Sequence, residues 1–163
     1  MPRVRTLIVD DEVDIAEMVA IIAGKEGLTT RIATTAVEGV DMLWKHYILI
    51  TDFNLHNKLT GLDLARLFKQ LNPAGVVVLL TGSIHDVTDR NVDFLLKKPA
   101  GPKEISAVVK RAYRRANNHI LVPKLLVKSR AIVERSKLLQ EMAASAHIRA
   151  RQLTDSTRAM LSV

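Results

Sequence analysis

VRTLIVDDEVDIAEMVAIIAGKEG, residues 4–27, runs through a strand, an acidic turn and a helix. Val4–Val9 is short and rich in β-branched residues, and it stops at Asp10-Asp11-Glu12. Ile15, Met18, Val19 and Ile22 then recur at helical spacing, with Gly24 or Gly27 to end the helix. The same alternation continues outward from this unit. Leu28–Ala33 reads as a strand, and Val37, Val40, Met42, Leu43 and Trp44 as a helix ending near His46. YILIT (47–51) is a continuous apolar strand ending at Asp52, followed by a polar loop from Asn54 to Thr60 and a helix from Leu62 to Leu71 that Asn72-Pro73 terminates. Ala74–Leu80 contains VVVLL and ends in Thr81-Gly82-Ser83; Phe94–Leu96 precedes Lys97-Lys98-Pro99; Glu104–Ala116 is the closing helix. Five apolar strands alternating with helices predict an α/β fold, a doubly wound parallel sheet covered on both faces.

In such a sheet ligands gather at the carboxyl ends of the strands. Asp10 and Asp11, Asp52, Thr81 and Lys98 stand at four predicted strand ends, so one pocket can collect them. Each has an ordinary account when taken alone: Asp10 or Asp11 as a helix cap, Asp52 as a turn residue, Thr81 as a cap, Lys98 as a solvated charge. Four such coincidences at four strand ends favour the shared pocket. Three carboxylates brought together repel one another and invite a hard cation; magnesium suits them, because it takes a few carboxylate oxygens, keeps waters and completes its shell with phosphate. A carboxylate beside that ion can attack phosphorus and form an acyl phosphate, with a lysine and a hydroxyl on the remaining phosphoryl oxygens.

LIVDDE (7–12), ITDFNL (50–55), Gly61 in TGLDL, LLTGS (79–83) and LLKKP (95–99) together resemble the receiver domain of two-component response regulators, over residues 1–118, about seven-tenths of the chain. The resemblance implies a flavodoxin-like five-stranded sheet of order 2-1-3-4-5. It implies Asp52 as phosphoacceptor, Asp11 as a direct magnesium ligand, Asp10 assisting through water, and the Asn54 backbone carbonyl as a further ligand. Thr81 would bond the phosphoryl group and Lys98, next to the cis-prone Pro99, would pair with it. Phosphate would come from the phosphohistidine of a histidine kinase or a histidine phosphotransfer protein, and the only catalysis would be the domain's own phosphorylation and autodephosphorylation.

Three departures from the family pattern matter. His56 stands where a proline usually follows, in a loop about one residue longer than common. Leu95, three before Lys98, replaces the usual aromatic switch residue, while Phe94 points to the other strand face. The interval from Thr81 to Lys98 is several residues short, so the fourth helix is expected to be shortened or unwound, and signalling is expected to run through other elements.

At 163 residues, 48% hydrophobic and 25% charged, the chain suits one soluble core with an appendage. There is no cysteine, hence no disulfide, thiol nucleophile or cysteine-rich zinc site. No apolar run reaches the roughly 20 residues of a membrane span, and MPRVRTLIVDDE leads into charge rather than a signal core, so a cytoplasmic protein is expected. The net charge of +7 is uneven: residues 1–118 hold 16 Lys/Arg against 14 Asp/Glu, and residues 119–163 hold 8 against 3. With 4% aromatic residues and no helix-turn-helix pair, direct DNA binding is not expected.

Residues 119–163 form the second predicted unit, a helical extension. Leu125, Ile132, Leu139, Ala146, Leu153 and Met160 recur every seven positions beside Ser129, Ser136, Ala143, Ala150 and Thr157. A helix over 124–161 would be roughly 55 Å long at about 1.5 Å per residue. Large residues alternating with small ones suit a second helix, so the extension is expected to form a homodimer or dock a partner; folding back on the receiver is the alternative. His147 reads as a surface residue, since no histidine-kinase phosphoacceptor pattern surrounds it. The expectation is a phosphorylatable response regulator that signals through altered protein association. The alternatives are a constitutive helical adaptor whose receiver does not switch, and a phosphorelay intermediate.

Overall fold

The computed structural model describes residues 4–55, 59–82 and 88–118. Five strands, β1 (Arg5–Val9), β2 (Thr29–Ala33), β3 (Ile48–Asp52), β4 (Val76–Thr81) and β5 (Phe94–Lys97), alternate with helices α1 (Val13–Lys25), α2 (Ala36–Met42), α3 (Gly61–Leu71) and α4 (Pro102–Ala116). All strand pairs are parallel and the sheet order is β2-β1-β3-β4-β5, as expected. Register alternation splits the core. Ile8, Ile48, Ile50, Val76, Val78 and Leu80 face α1 and α4, whereas Leu7, Val9, Leu49 and Val77 face α2 and α3. Phe94 joins the α1/α4 side, where the Arg111 guanidinium lies 4.8 Å over its ring.

Several boundaries move for local reasons. The second helix ends at Met42 and continues as a 3₁₀ turn over Leu43–Lys45, after which His46 Nδ1 donates to the Met42 carbonyl at 2.8 Å. Helix α4 starts two residues earlier than the apolar spacing indicates: the Glu104 carboxylate accepts the Gly101 N–H at 2.6 Å, and Pro102 needs no partner at the first helical position. Thr60 caps α3, accepting the Asp63 N–H while Asp63 accepts the Thr60 N–H.

Between β4 and β5, the described residues Gly82 and Thr88–Asp93 carry no helix; residues 83–87 lie outside the described part. The chain divides into two units, Met1–Val122 and Pro123–Val163. The expected extension and His147 lie outside the described residues, as does His56. Among the described residues no helix is long and apolar enough to cross a membrane.

Candidate functional site

The parallel register sets β1, β3 and β4 side by side, so the residues that end these strands meet at one edge of the sheet. Asp10 follows β1, Asp52 closes β3 and Thr81 closes β4; all three are buried. Asp11 joins them, and oxygens of Asp10, Asp11 and Asp52 lie within 4.8 Å of one another. Lys98 comes from just beyond β5, where its N–H donates to the Thr81 carbonyl at 2.8 Å and its peptide bond to Pro99 is cis. Its Nζ sits 2.9 Å from Asp52 Oδ1, 3.2 Å from Asp10 Oδ2 and 3.6 Å from Glu12 Oε1.

Both inner carboxylates divide their oxygens in the same way. Asp10 Oδ1 accepts the Glu12 N–H at 3.1 Å and Oδ2 faces Lys98; Asp52 Oδ2 accepts the Asn54 N–H at 3.0 Å and Oδ1 faces Lys98. The turn role expected of Asp52 alone is present, while Asp10 makes the same turn instead of a helix cap, since Glu12 is the N-cap of α1 and carries no side-chain cap bond; each turn orients the second oxygen toward the lysine. Burial raises the pKa of Asp10 above the carboxylate value, against the Glu12 N–H and Lys98. Burial also works against the charge on Lys98, but its contacts with Asp52 and Asp10 outweigh that, and its pKa is raised. Asp10 and Asp52 share Lys98, and with Asp11 they form an all-oxygen set within 4.8 Å, which fits a hard divalent cation.

A cleft of about 520 Å³ opens over this cluster, lined by Glu12, Asp52, Asn54, Leu55, Thr60 and Lys98 among others. Its floor depends on Gly61. A Cβ there would fall well inside contact distance of the Asp52 carbonyl, because the Gly61 N–H donates to the Phe53 carbonyl at 3.0 Å and draws the start of α3 onto the end of β3.

Residues 6–110 match the response regulator receiver domain model. The chain belongs to the response regulator receiver family. It is similar to the response regulator protein PilR of Pseudomonas aeruginosa, with 36% identity over 83 residues that span 50% of this chain and 18% of PilR. Among solved structures, the receiver domain of NtrX from Brucella abortus is 30% identical with a TM-score of 0.60, covering 66% of this chain and 96% of that one. A CheY-like receiver domain from Methanospirillum hungatei has a TM-score of 0.62 at 24% identity, covering 72% of this chain and 98% of that one.

Asp10, Asp11, Asp52 and Lys98 of this receiver are thus brought together, with the Asn54 backbone beside them and Thr81 buried at the adjoining strand end. Glu12 and Thr60 are site residues that the strand-end argument passed over. Glu12 was legible as the third acid of one run, but Thr60 reaches the cleft only through the way α3 is capped.

Proposed function

We propose that this receiver accepts a phosphoryl group on Asp52 from the phosphohistidine of a histidine kinase or phosphotransfer protein, and signals through altered protein association. The observation that carries the reading is the placement of Lys98 Nζ between Asp52 and Asp10, with an Asp11 oxygen within 4.8 Å of both carboxylates. Asp10, Asp11, Asp52 and the Asn54 carbonyl would hold Mg²⁺, which supplies charge neutralisation for the transferring group when bound. An Asp52 carboxylate oxygen forms the new bond to phosphorus as the phosphorus–nitrogen bond of the donor breaks, and the imidazole leaves with the electron pair. The Asn54 N–H fixes the other Asp52 oxygen, which leaves Oδ1 as the free attacking atom once Lys98 moves onto a phosphoryl oxygen. The Thr81 hydroxyl takes a second phosphoryl oxygen. An apolar recess of about 430 Å³ lined by Ile15, Met18, Val19, Pro99, Ala100 and Ile105 adjoins Lys98 and suits the side of a donor helix.

Incubation with Mg²⁺ and acetyl phosphate should add one phosphoryl group by intact mass, and Asp52→Asn should lose it, since an amide is no nucleophile. Labelling of the variant as fully as the parent would place the acceptor elsewhere. The second reading, a receiver that does not switch, is favoured by Leu95, which lies against Leu79 where relatives carry the aromatic switch. Residues 119–163 would pair with a second copy through their seven-residue stripe. Sedimentation equilibrium of the full chain and of Leu139→Asp tests that pairing: the parent should be dimeric and the variant dissociated, because a charge enters an apolar seam.

A further inference from the structure

A second cleft lies at the other margin of the sheet, sharing no lining residue with the Asp52 site. It measures about 570 Å³ and is lined by Arg5 of β1, Arg31 of the edge strand β2, Lys45 of the 3₁₀ turn, His46, Thr29 and Glu38 among others. Arg5, Arg31 and Lys45 are exposed, and no carboxylate among the described residues is paired with any of them. The guanidinium of Arg5 rests 5.5 Å over the Tyr47 ring and the ammonium of Lys45 4.8 Å over the Trp44 ring, which leaves their charge available. Elsewhere in the receiver, Arg66, Lys69, Lys98, Lys110 and Arg115 each meet a carboxylate.

His46 also lines this cleft. It is buried, its Nδ1 donates to the Met42 carbonyl, and its Nε2 has no hydrogen-bond partner among the described residues. Among the described residues Thr6 Oγ1 is the side-chain atom that is both sealed and unpartnered, so His46 Nε2 keeps some exposure, and His46 lines the cleft. Burial, then the charges of Arg5, Arg31 and Lys45, lower the pKa of His46 against the opposing pull of the Met42 carbonyl. Cations from three separate elements thus converge on an unpartnered polar atom. The acid at the rim, Glu38, has one oxygen held by the Thr34 N–H and the other left over.

We infer that this cleft binds a small molecule bearing a diphosphate, with Arg5, Arg31 and Lys45 on its oxygens, His46 Nε2 at its inner end and Glu38 accepting from a hydroxyl of the attached group. Three cations spread around the space suit two linked phosphates better than one, and guanidinium groups present paired N–H donors to phosphate oxygens. The carboxylate at the rim leaves an acceptor for a hydroxyl of the attached group.

The test uses the full chain in EDTA, so that no metal recruits the probe to the Asp52 cleft, with inorganic pyrophosphate as the probe. Calorimetry should show saturable binding, and NMR should show the His46 Nε2 signal moving with the same midpoint. Arg31→Ala and Lys45→Ala, both at exposed positions, should each weaken binding about tenfold, the scale of one charge-assisted hydrogen bond. Lys98→Ala should leave the affinity as in the parent. Loss of binding in Lys98→Ala but not in Arg31→Ala would put the anion in the Asp52 cleft. Unchanged affinity in both Arg31→Ala and Lys45→Ala, or a still His46 signal, would put it on the basic residues of 119–163. An acidic peptide that outcompetes pyrophosphate through Arg31 and Lys45 would overturn the ligand class.

Discussion

Two buried ionic nodes stand at opposite ends of the strands, and they differ in their balance of charge. At the amino end, Asp93 precedes β5 and is surrounded by donors. Its Oδ2 accepts the Val77 N–H at 2.8 Å and meets Lys69 at 2.7 Å, its Oδ1 meets Arg115 at 3.0 Å, and its own N–H returns to the Val77 carbonyl. One acid there has two cations, and Lys69 also donates to the Gly75 carbonyl. At the carboxyl end the ratio is inverted: Asp10, Glu12 and Asp52 share Lys98 beneath an open cleft. A node in which both carboxylate oxygens meet donors from other elements locks β4, β5, α3 and α4 together. A node short of positive charge and open to solvent can take in a cation and exchange the partner of its lysine, which is what phosphoryl transfer requires.

The largest expected effect falls on the closed node. Asp93→Ala leaves the Val77 N–H and the mostly buried Lys69 without their partner, and should cost about 3 kcal/mol of unfolding free energy, discounted from a fully buried pair because Arg115 is half exposed. Urea denaturation measures it. Asp93→Asn should recover part of the loss by keeping an acceptor for Val77. A loss below about 0.5 kcal/mol in the Ala variant would mean that the node contributes no more than a surface pair.

Metal affinity should separate the carboxylates of the open node. Asp11→Ala should weaken Mg²⁺ binding by about 10- to 100-fold, and Asp10→Ala by less, if Asp11 is a direct ligand and Asp10 acts through water. Asp93→Asn should leave Mg²⁺ affinity unchanged. Equal affinities for the parent and both Ala variants would remove the metal site from the carboxyl end.

The contrast between the nodes also marks what the sequence could and could not reveal. Asp52 and Thr81 were legible because continuous apolar strands such as YILIT and VVVLL stop at them, and strand period and parallel topology then carry all the strand ends to one edge. Lys98 was legible for the same reason, since it follows the last strand. Asp93 was not, although its surroundings are as specific as those of Asp52: it precedes a strand instead of ending one, and its partners Lys69, Val77 and Arg115 come from three other elements. The requirement for Gly61 likewise depends on how closely α3 approaches β3, a distance with no signature in local composition. His46 read as the end of a helix; its place beside Arg5, Arg31 and Lys45 follows from how β1, the edge strand β2 and the 3₁₀ turn meet.

The smallest effect is a pH-dependent one at Asp10. Its pKa is raised in the folded protein, chiefly by burial, so above the ordinary value of 3.8 the folded state holds this proton more tightly than the unfolded chain does. Stability contributed by the protonated form is present below 3.8 and is lost as pH rises through the folded pKa, because the slope of unfolding free energy with pH follows the protons bound by the unfolded chain minus those bound by the native state. Asp10→Asn removes this group's titration. In metal-free buffer, the stability of Asp10→Asn relative to the parent should therefore increase between pH 4 and pH 7, by about 1.4 kcal/mol for each unit of pKa displacement. Saturating Mg²⁺ should shrink or reverse the gain, since the ion compensates the buried charge that the variant lacks. Urea midpoints of the two proteins across that range, with EDTA and with Mg²⁺, decide it. A difference that stays flat with pH in EDTA would mean that Lys98 already balances Asp10, and that the open node is as settled as the one around Asp93.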